Sequence, residues 1–298
     1  MSDAAATLAG RREPPIRPEY ERVVTDAGII GDVARPLSPC ERIANITALR
    51  RLLVLALVAA VWQAIALWQN NPLMFPTFTA TVAAFWEAVA REGLLTMAWL
   101  SIATLLKGYA IGIALAVVLT TLAVTTRIGD DFLSTLTAMF NPLPAIALLP
   151  IAMLWFGLGA ASLTFVLVHA VLWPVALNTH SGFTSVSETL RMAGRNYGLK
   201  GMRYVVQILI PAAFPSILTG LKVGWAFAWR TLIAAELVFG VSSGKGGLGW
   251  FIFQNRNELY IDKVFAGLVT VILIGLIVEN VAFRWLEAQT VRKWGMVR

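Results

Sequence analysis

Six apolar segments follow one another along the chain, at roughly 52–68, 99–124, 132–156, 161–179, 206–233 and 264–285. Each comes close to or exceeds the roughly 20 residues a helix needs to cross hydrocarbon. Backbone polar groups cannot stay unpaired in lipid, so all six are predicted as membrane-spanning helices. Between the first two, Phe75–Arg91 (FPTFTATVAAFWEAVAR) is amphipathic and too charged to cross, which predicts a short interfacial helix. A second departure is the stretch from Ser185 to Glu236, which opens polar and basic before it becomes the fifth span. Such a patch between two spans suggests a surface on which something docks.

Local signals give that patch a shape. Ser187 is a candidate N-cap, and Ser185 with Glu188 has the spacing of a capping box. A short helix to about Asn196 follows, with Gly198 suited to its C-terminal turn. Pro211 then starts or kinks the next helix. The plainer reading is an interfacial loop that ties two spans together.

Composition agrees with a polytopic membrane protein. Of 298 residues, 58% are apolar and 14% charged, against about 25% charged in soluble domains. The net charge of +7 does not signal nucleic acid, because basic residues are expected beside spans and no base-reading motif is visible. Cys40 is the single cysteine, so no intrachain disulfide can form. His169 and His180 are the only histidines, and no metal-binding cluster is visible. Residues 1–47 hold five prolines and mixed charge and read as a cytoplasmic arm, partly disordered. They do not read as a cleaved leader, since the first apolar stretch begins as deep as Leu52.

Lys and Arg set the orientation. With the N-terminus inside, 17 lie on the cytoplasmic side (eight of them in and beside the arm, four in the 180–205 loop) and four on the other. That bias predicts both termini in the cytoplasm. Lys107, Lys222 and Arg230 lie within spans, and so does Glu236 near an end. Lys107 and Lys222 can snorkel. Arg230 and Glu236, six residues apart, fall on different helix faces and each needs a partner on another helix or subunit.

Other residues mark a route through the membrane. Asn141-Pro142-Leu143-Pro144 and Pro150 interrupt the third span, and freed carbonyls are tolerated where they line a cavity. The alternative is a packing kink. Trp155, Phe156 and Trp173 are candidates for gating, although Trp also anchors spans at the interface. His169 would contact a solute or bond a neighbouring helix. Gly108-xxx-Gly112 and Gly220-xxx-Gly224 are close-packing faces, with a homodimer seam as one location.

Ala193-Gly194-xxx-Gly198, nine residues, then Ile208-x-Ile210-Pro211 resembles the EAA loop of the membrane subunits of binding-protein-dependent ABC importers. Met192 stands where that pattern has Glu, and Gly194 where it has its second Ala. The series LPIAMLWFGLGAAS (149–162), PVALNTHSG (174–182), PAAFPSILTGLK (211–222), AWRTLIAAE (228–236), GGLGWFI (246–252) and DKVFAGL (262–268) is similar to the nitrate/sulfonate/taurine/bicarbonate subfamily. FPTFTATV (75–82) fits the same subfamily, and the likeness covers roughly residues 50–295.

The resemblance implies an all-α type I importer permease with six transmembrane helices and a cytoplasmic coupling helix, in the loop at about 185–211. It implies a homodimeric pathway in the bacterial inner membrane, a cytoplasmic ATPase dimer as partner, and a periplasmic binding protein that delivers the solute. Ser187, Arg191, Ala193, Gly194, Gly198, Lys200, Arg203 and Pro211 would form the docking element, with the small residues letting the helix sit in a partner's cleft. The basic side chains would otherwise serve as positive-inside anchors. The pathway candidates are Asn141, Pro144, Trp155, Phe156, His169, Trp173, Arg230 and Glu236. GVSSGK at 240–245 lacks the P-loop pattern, so no cofactor is expected on this chain, and ATP with Mg is expected on the partner ATPase.

An excess of basic over acidic groups in the spans suits an anion. Sulfonate, taurine, nitrate, bicarbonate, an aromatic carboxylate and a pyrimidine precursor all fit. An ATP-independent secondary transporter or channel would need coupling acids within the spans, where only Glu236 and Glu279 stand, both near ends. A membrane-embedded enzyme would need a constellation that one histidine with scattered lysines does not supply.

Overall fold

The computed structural model describes residues 45–239 and 246–293. The arm before Asn45 and the 240–245 string lie outside the described residues. The chain divides into two units, Met1–Leu57 and Val58–Arg298. What is described of the first is the opening of helix α1 (Thr47–Gln69), taken by itself.

Among the described residues the fold is helical, with five helices long and apolar enough to cross a membrane, or six if a bent pair counts as one span. Beyond Leu57, α1 exposes Val58, Val61 and Ile65, as a lipid-facing helix does. Its Trp62 meets Phe75, Phe78 and Phe265 and donates from Nε1 to the Pro76 carbonyl (3.0 Å). Helix α2 (Phe78–Arg91) is the expected amphipathic segment, capped by Thr77 Oγ1, which accepts from the Ala80 N–H (3.2 Å). Helix α3 (Leu94–Thr125) starts several residues earlier than the apolar pattern suggested.

The third apolar segment is not one continuous helix. It forms α4 (Arg127–Phe140), a 3-10 turn (Ala145–Leu148) and α5 (Leu149–Phe156), with the two halves at 88°. Pro142 and Pro144 each lack an N–H, and Pro144 is extended (φ −61°, ψ 121°), so the hydrogen-bond ladder cannot pass.

Helix α6 (Ala160–Thr184) is the most enclosed element, buried along its length from Ser162 to Phe183. One face of it meets α3. There a Cβ placed on Gly108 would stand 2.5 Å from Leu167 Cβ, and one on Gly112 would stand 2.8 Å from Val171 Cβ. The same face meets α9 (Ile210–Phe239), where a Cβ on Gly220 would lie 2.9 Å from Asn178 Cβ and one on Gly224 3.1 Å from Val175 Cγ2. Both glycine pairs therefore close onto one helix of their own chain, not onto a homodimer seam. Small residues are what allow helix axes to approach this closely in lipid.

Helix α7 (Glu188–Asn196) and the single turn α8 (Gly201–Tyr204) join α6 to α9. A widened π turn (Val205–Leu209) leads into α9, with the Ile210 N–H bonding the Val205 carbonyl. Pro211 thus neither starts the helix nor breaks it. The widening falls in the turn before it, where a proline has no N–H for the carbonyl four residues back. Helix α10 (Leu248–Asn257) and α11 (Ile261–Ile277) follow, and α11 continues through a second π segment (Val278–Phe283) to α12 (Arg284–Glu287).

Candidate functional site

Helix α7 is held by its neighbours at both ends. Ser187 occupies the N-cap position with extended backbone (φ −57°, ψ 142°), but its hydroxyl makes no cap bond. The Ser185 hydroxyl donates backward to the Gly182 carbonyl (2.8 Å), so the capping-box reading does not hold either. The C-terminus closes as expected: Gly198 is left-handed (φ +74°), the Leu199 N–H bonds the Gly194 carbonyl (3.1 Å) and the Gly198 N–H bonds that of Arg195 (2.9 Å). This is a Schellman end, which favours glycine at that position.

Two of the docking candidates are used internally. Arg191 folds back on the end of α6, its Nε donating to the Val186 carbonyl (3.0 Å) and an Nη to that of Phe183. Phe183 lies in the last turn of α6, where carbonyls lack intrahelical donors, and Val186 two residues beyond the helix. Gly194 is buried, and a Cβ there would come 3.0 Å from Ile208 Cγ1 and 3.2 Å from Tyr204 Cε2. Its smallness seats α7 against its own chain, not in a partner's cleft, and this accounts for glycine where the related pattern has alanine. Ala193 is half-buried.

The outward face is apolar and basic. Met192, Tyr197 and Met202 are exposed, Tyr197 at 86%. Arg195, Lys200 and Arg203 are exposed beside them. The Arg195–Glu188 pair spans 4.0 Å with both side chains mostly exposed, and such a pair contributes at most about 1 kcal/mol. Nearby, His180 Nε2 stands 2.9 Å from Asp130 Oδ1 and links the end of α6 to the start of α4. The sequence reading gave His180 no role, and nothing in its local pattern would have supplied one.

The broken third span opens a second feature. A cavity of about 260 Å³ lies between the 141–146 bend, α6 and α9. Five of the pathway candidates line it: Asn141, Pro144, His169, Trp173 and Arg230. Phe227 and Thr231 complete the α9 wall. Phe140 stacks on Trp173 (5.4 Å between centroids, 13° between planes) and meets His169 edge-on. Neither imidazole nitrogen nor Trp173 Nε1 has a hydrogen-bond partner, and all three are buried. The expected bond from His169 to a neighbouring helix is therefore not made.

Arg230 finds its partners on its own helix. Its Nε donates to the Ala226 carbonyl (3.1 Å), and its guanidinium lies 5.3 Å from the Phe227 ring centroid. Among the described residues no carboxylate pairs with it.

Three candidates fall away from the cavity. Trp155 and Phe156 are exposed and cluster with Phe165, away from the cavity wall. Glu236 is buried in a knot. It accepts from Ser101 Oγ (2.9 and 2.8 Å) and from the Gly249 N–H (2.8 Å), while the same serine oxygen accepts the Leu248 N–H (2.8 Å). Its role here is to cap α10. Lys222 does not snorkel but pairs with Glu287 (3.1 Å) and stands 3.9 Å from Glu279.

The family model described as binding-protein-dependent transport system inner membrane component matches residues 108–291. A protein of Methanocaldococcus jannaschii named as an ABC transporter permease is 31% identical over 236 residues, 78% of this chain and 87% of the relative. The taurine transport system permease protein of Escherichia coli is 29% identical, over 76% of this chain and 82% of its own length. The nitrate import permease protein of a Synechocystis strain is 26% identical, over 83% and 90%. With a bent-helix span, a helical loop seated between two spans and this match across most of its length, the chain belongs to the binding-protein-dependent transport system inner membrane components and is a permease subunit of an ABC importer.

Proposed function

We propose that two copies of this chain form the pathway of an importer for a small anion. Candidates are a sulfonate, taurine, nitrate, bicarbonate or an organic carboxylate. A periplasmic binding protein delivers the solute, and two separate ATPases that carry ATP and Mg dock on α7 and α8 from the cytoplasm. The chain itself is non-catalytic and holds no cofactor. Both termini lie on the cytoplasmic side, together with the 1–47 arm.

One observation carries this reading: Met192, Tyr197 and Met202 are exposed among Arg195, Lys200 and Arg203 on the α7–α8 segment that joins two spans. Exposed apolar side chains interspersed with basic ones suit a protein partner, since aromatic and Met side chains are enriched at interfaces. Arg191 and Gly194 make the element rigid, so a push on α7 passes to α6 and α9. The names of the taurine and nitrate relatives support a solute that carries an oxyanion group.

Purification of the tagged chain in mild detergent, with mass spectrometry of its partners, tests this. An ATPase recovered at about one per permease is expected. Recovery of the chain alone in every detergent would instead favour an ATP-independent transporter or channel.

A further inference from the structure

The cavity at the broken span has chemistry of its own. Its cation is Arg230, which presents a planar fork of donors that matches oxyanions. Its present contacts, one carbonyl and the face of Phe227, leave most of its donors free for a ligand. No acidic side chain lines the cavity. An ionisable group within a span is expected to meet a partner.

A second observation is independent of the charge. His169 and Trp173, on the opposite wall, carry three buried nitrogens without a hydrogen-bond partner. Folded chains rarely leave such groups unpaired, and a water, an ion or another ligand is one explanation for those that are. Asn141 adds an amide at the bend, and Thr231 a hydroxyl beside Arg230. At about 260 Å³ the space falls below the roughly 300–1,000 Å³ of pockets for drug-sized ligands, so its occupant is small.

We propose that this cavity is a binding site for one small oxyanion, a sulfonate, carboxylate or nitrate, held by the Arg230 guanidinium. His169 and Trp173 turn their nitrogens to it when Phe140 shifts at the 141–144 bend. The site rests on the importer reading given above, and it makes the permease a second point of solute selection after the binding protein. Phe140 sits at the last residue of α4, where the span breaks, so movement of α4 against α5 is what would slide its ring off Trp173.

The test uses the purified full chain in lipid nanodiscs, without ATPase. Sodium methanesulfonate and sodium nitrate are titrated at constant ionic strength against chloride, and the thermal unfolding midpoint is read. A rise that sets in near Kd and then grows with the logarithm of anion concentration is expected, as for any ligand that binds only the folded state. Arg230→Gln should weaken the response about tenfold or more, the scale of a lost charge-assisted hydrogen bond. Arg230→Lys should retain part of it. Arg256→Gln should leave it intact, because that guanidinium also lies over a ring (Phe253, 5.5 Å) but does not line the cavity. Neutral methanesulfonamide should give no rise. An equal rise with the sulfonamide, the same titration in Arg230→Gln as in wild type, or no rise with either anion would overturn the proposal. Recovery of the ATPase is a separate result, so a failed titration leaves the importer reading standing.

Discussion

Ser101 Oγ lies 2.8 Å from Glu236 Oε2, joining α3 to α9 across 135 positions of sequence. The same oxygen accepts the Leu248 N–H, and Glu236 accepts that of Gly249. The carboxylate and hydroxyl together satisfy the first N–H groups of α10, where a helix end carries unpaired donors and partial positive charge. Ser101→Ala removes one donor from Glu236 and the acceptor of Leu248 at once, in a position fully closed to solvent. The expected cost is about 1–3 kcal/mol. Thermal unfolding in nanodiscs should show it as a lower midpoint, and hydrogen exchange should show lost protection over 248–252. Exchange unchanged in that segment would contradict a capping role for Ser101.

The docking helix separates two kinds of substitution. Tyr197 is almost entirely exposed, so Tyr197→Ala should leave the unfolding midpoint within about 0.5 kcal/mol of wild type. The same change should reduce ATPase recovery in the pull-down. Gly194→Glu forces a side chain into Tyr204 and Ile208, so it should lower the amount of folded protein as well as ATPase recovery. A Gly194→Glu variant that inserts normally and fails only to bind the ATPase would restore the partner-cleft reading of that glycine.

The cavity makes a sharper demand on His169. Its ring touches Phe140 and Trp173 edge-on while both nitrogens lack partners. His169→Phe keeps an aromatic ring and removes the unpaired groups, and the adjoining cavity leaves room for the larger side chain. Burying an unsatisfied polar group costs about 1–3 kcal/mol, so the variant should be as stable as wild type or more so. Its response to methanesulfonate should be weaker. A variant that loses stability while its anion response stays intact would mean that His169 serves packing alone.

How far the sequence could be read depended on the range of the interaction. Five spans, the amphipathic α2 and the helix–glycine turn of α7 are set by local hydrophobicity and turn chemistry, and their boundaries were legible to within a few residues. Pro142 and Pro144 mark the interruption of the third span, but not its 88° angle. Proline marks where a ladder fails, but not how far the halves then fold apart. Arg191, Gly194 and Glu236 were each singled out, and each proved to face its own chain. Nothing near Arg191 in sequence marks Phe183 as its acceptor, and a serine in an apolar span gives no sign that it will meet a carboxylate 135 residues later. Lys222 with Glu287 is hidden for the same reason. Arg230, His169 and Trp173 were noticed one by one, and only the packing of α6 beside α9 brings them around one cavity.

That packing yields the last prediction. Gly108 and Gly220 approach one face of α6, Gly108 at Leu167 and Gly220 at Asn178. In each case the obstructing atom is a Cβ, which cannot swing away as a side-chain tip does. Gly108→Val or Gly220→Val must therefore push α3 or α9 off α6, and overpacking of this kind costs about 1–3 kcal/mol or more. The damage should fall on the fold of each chain and not only on assembly. Native mass spectrometry and thermal unfolding, run on the same preparation, separate the two outcomes. A lower midpoint, together with less folded protein overall, is expected for both variants. Well-folded monomers, with the midpoint of wild type and no dimer, would instead place these glycines at a seam between copies, because only an interface outside the chain could lose its fit while α6 keeps its own.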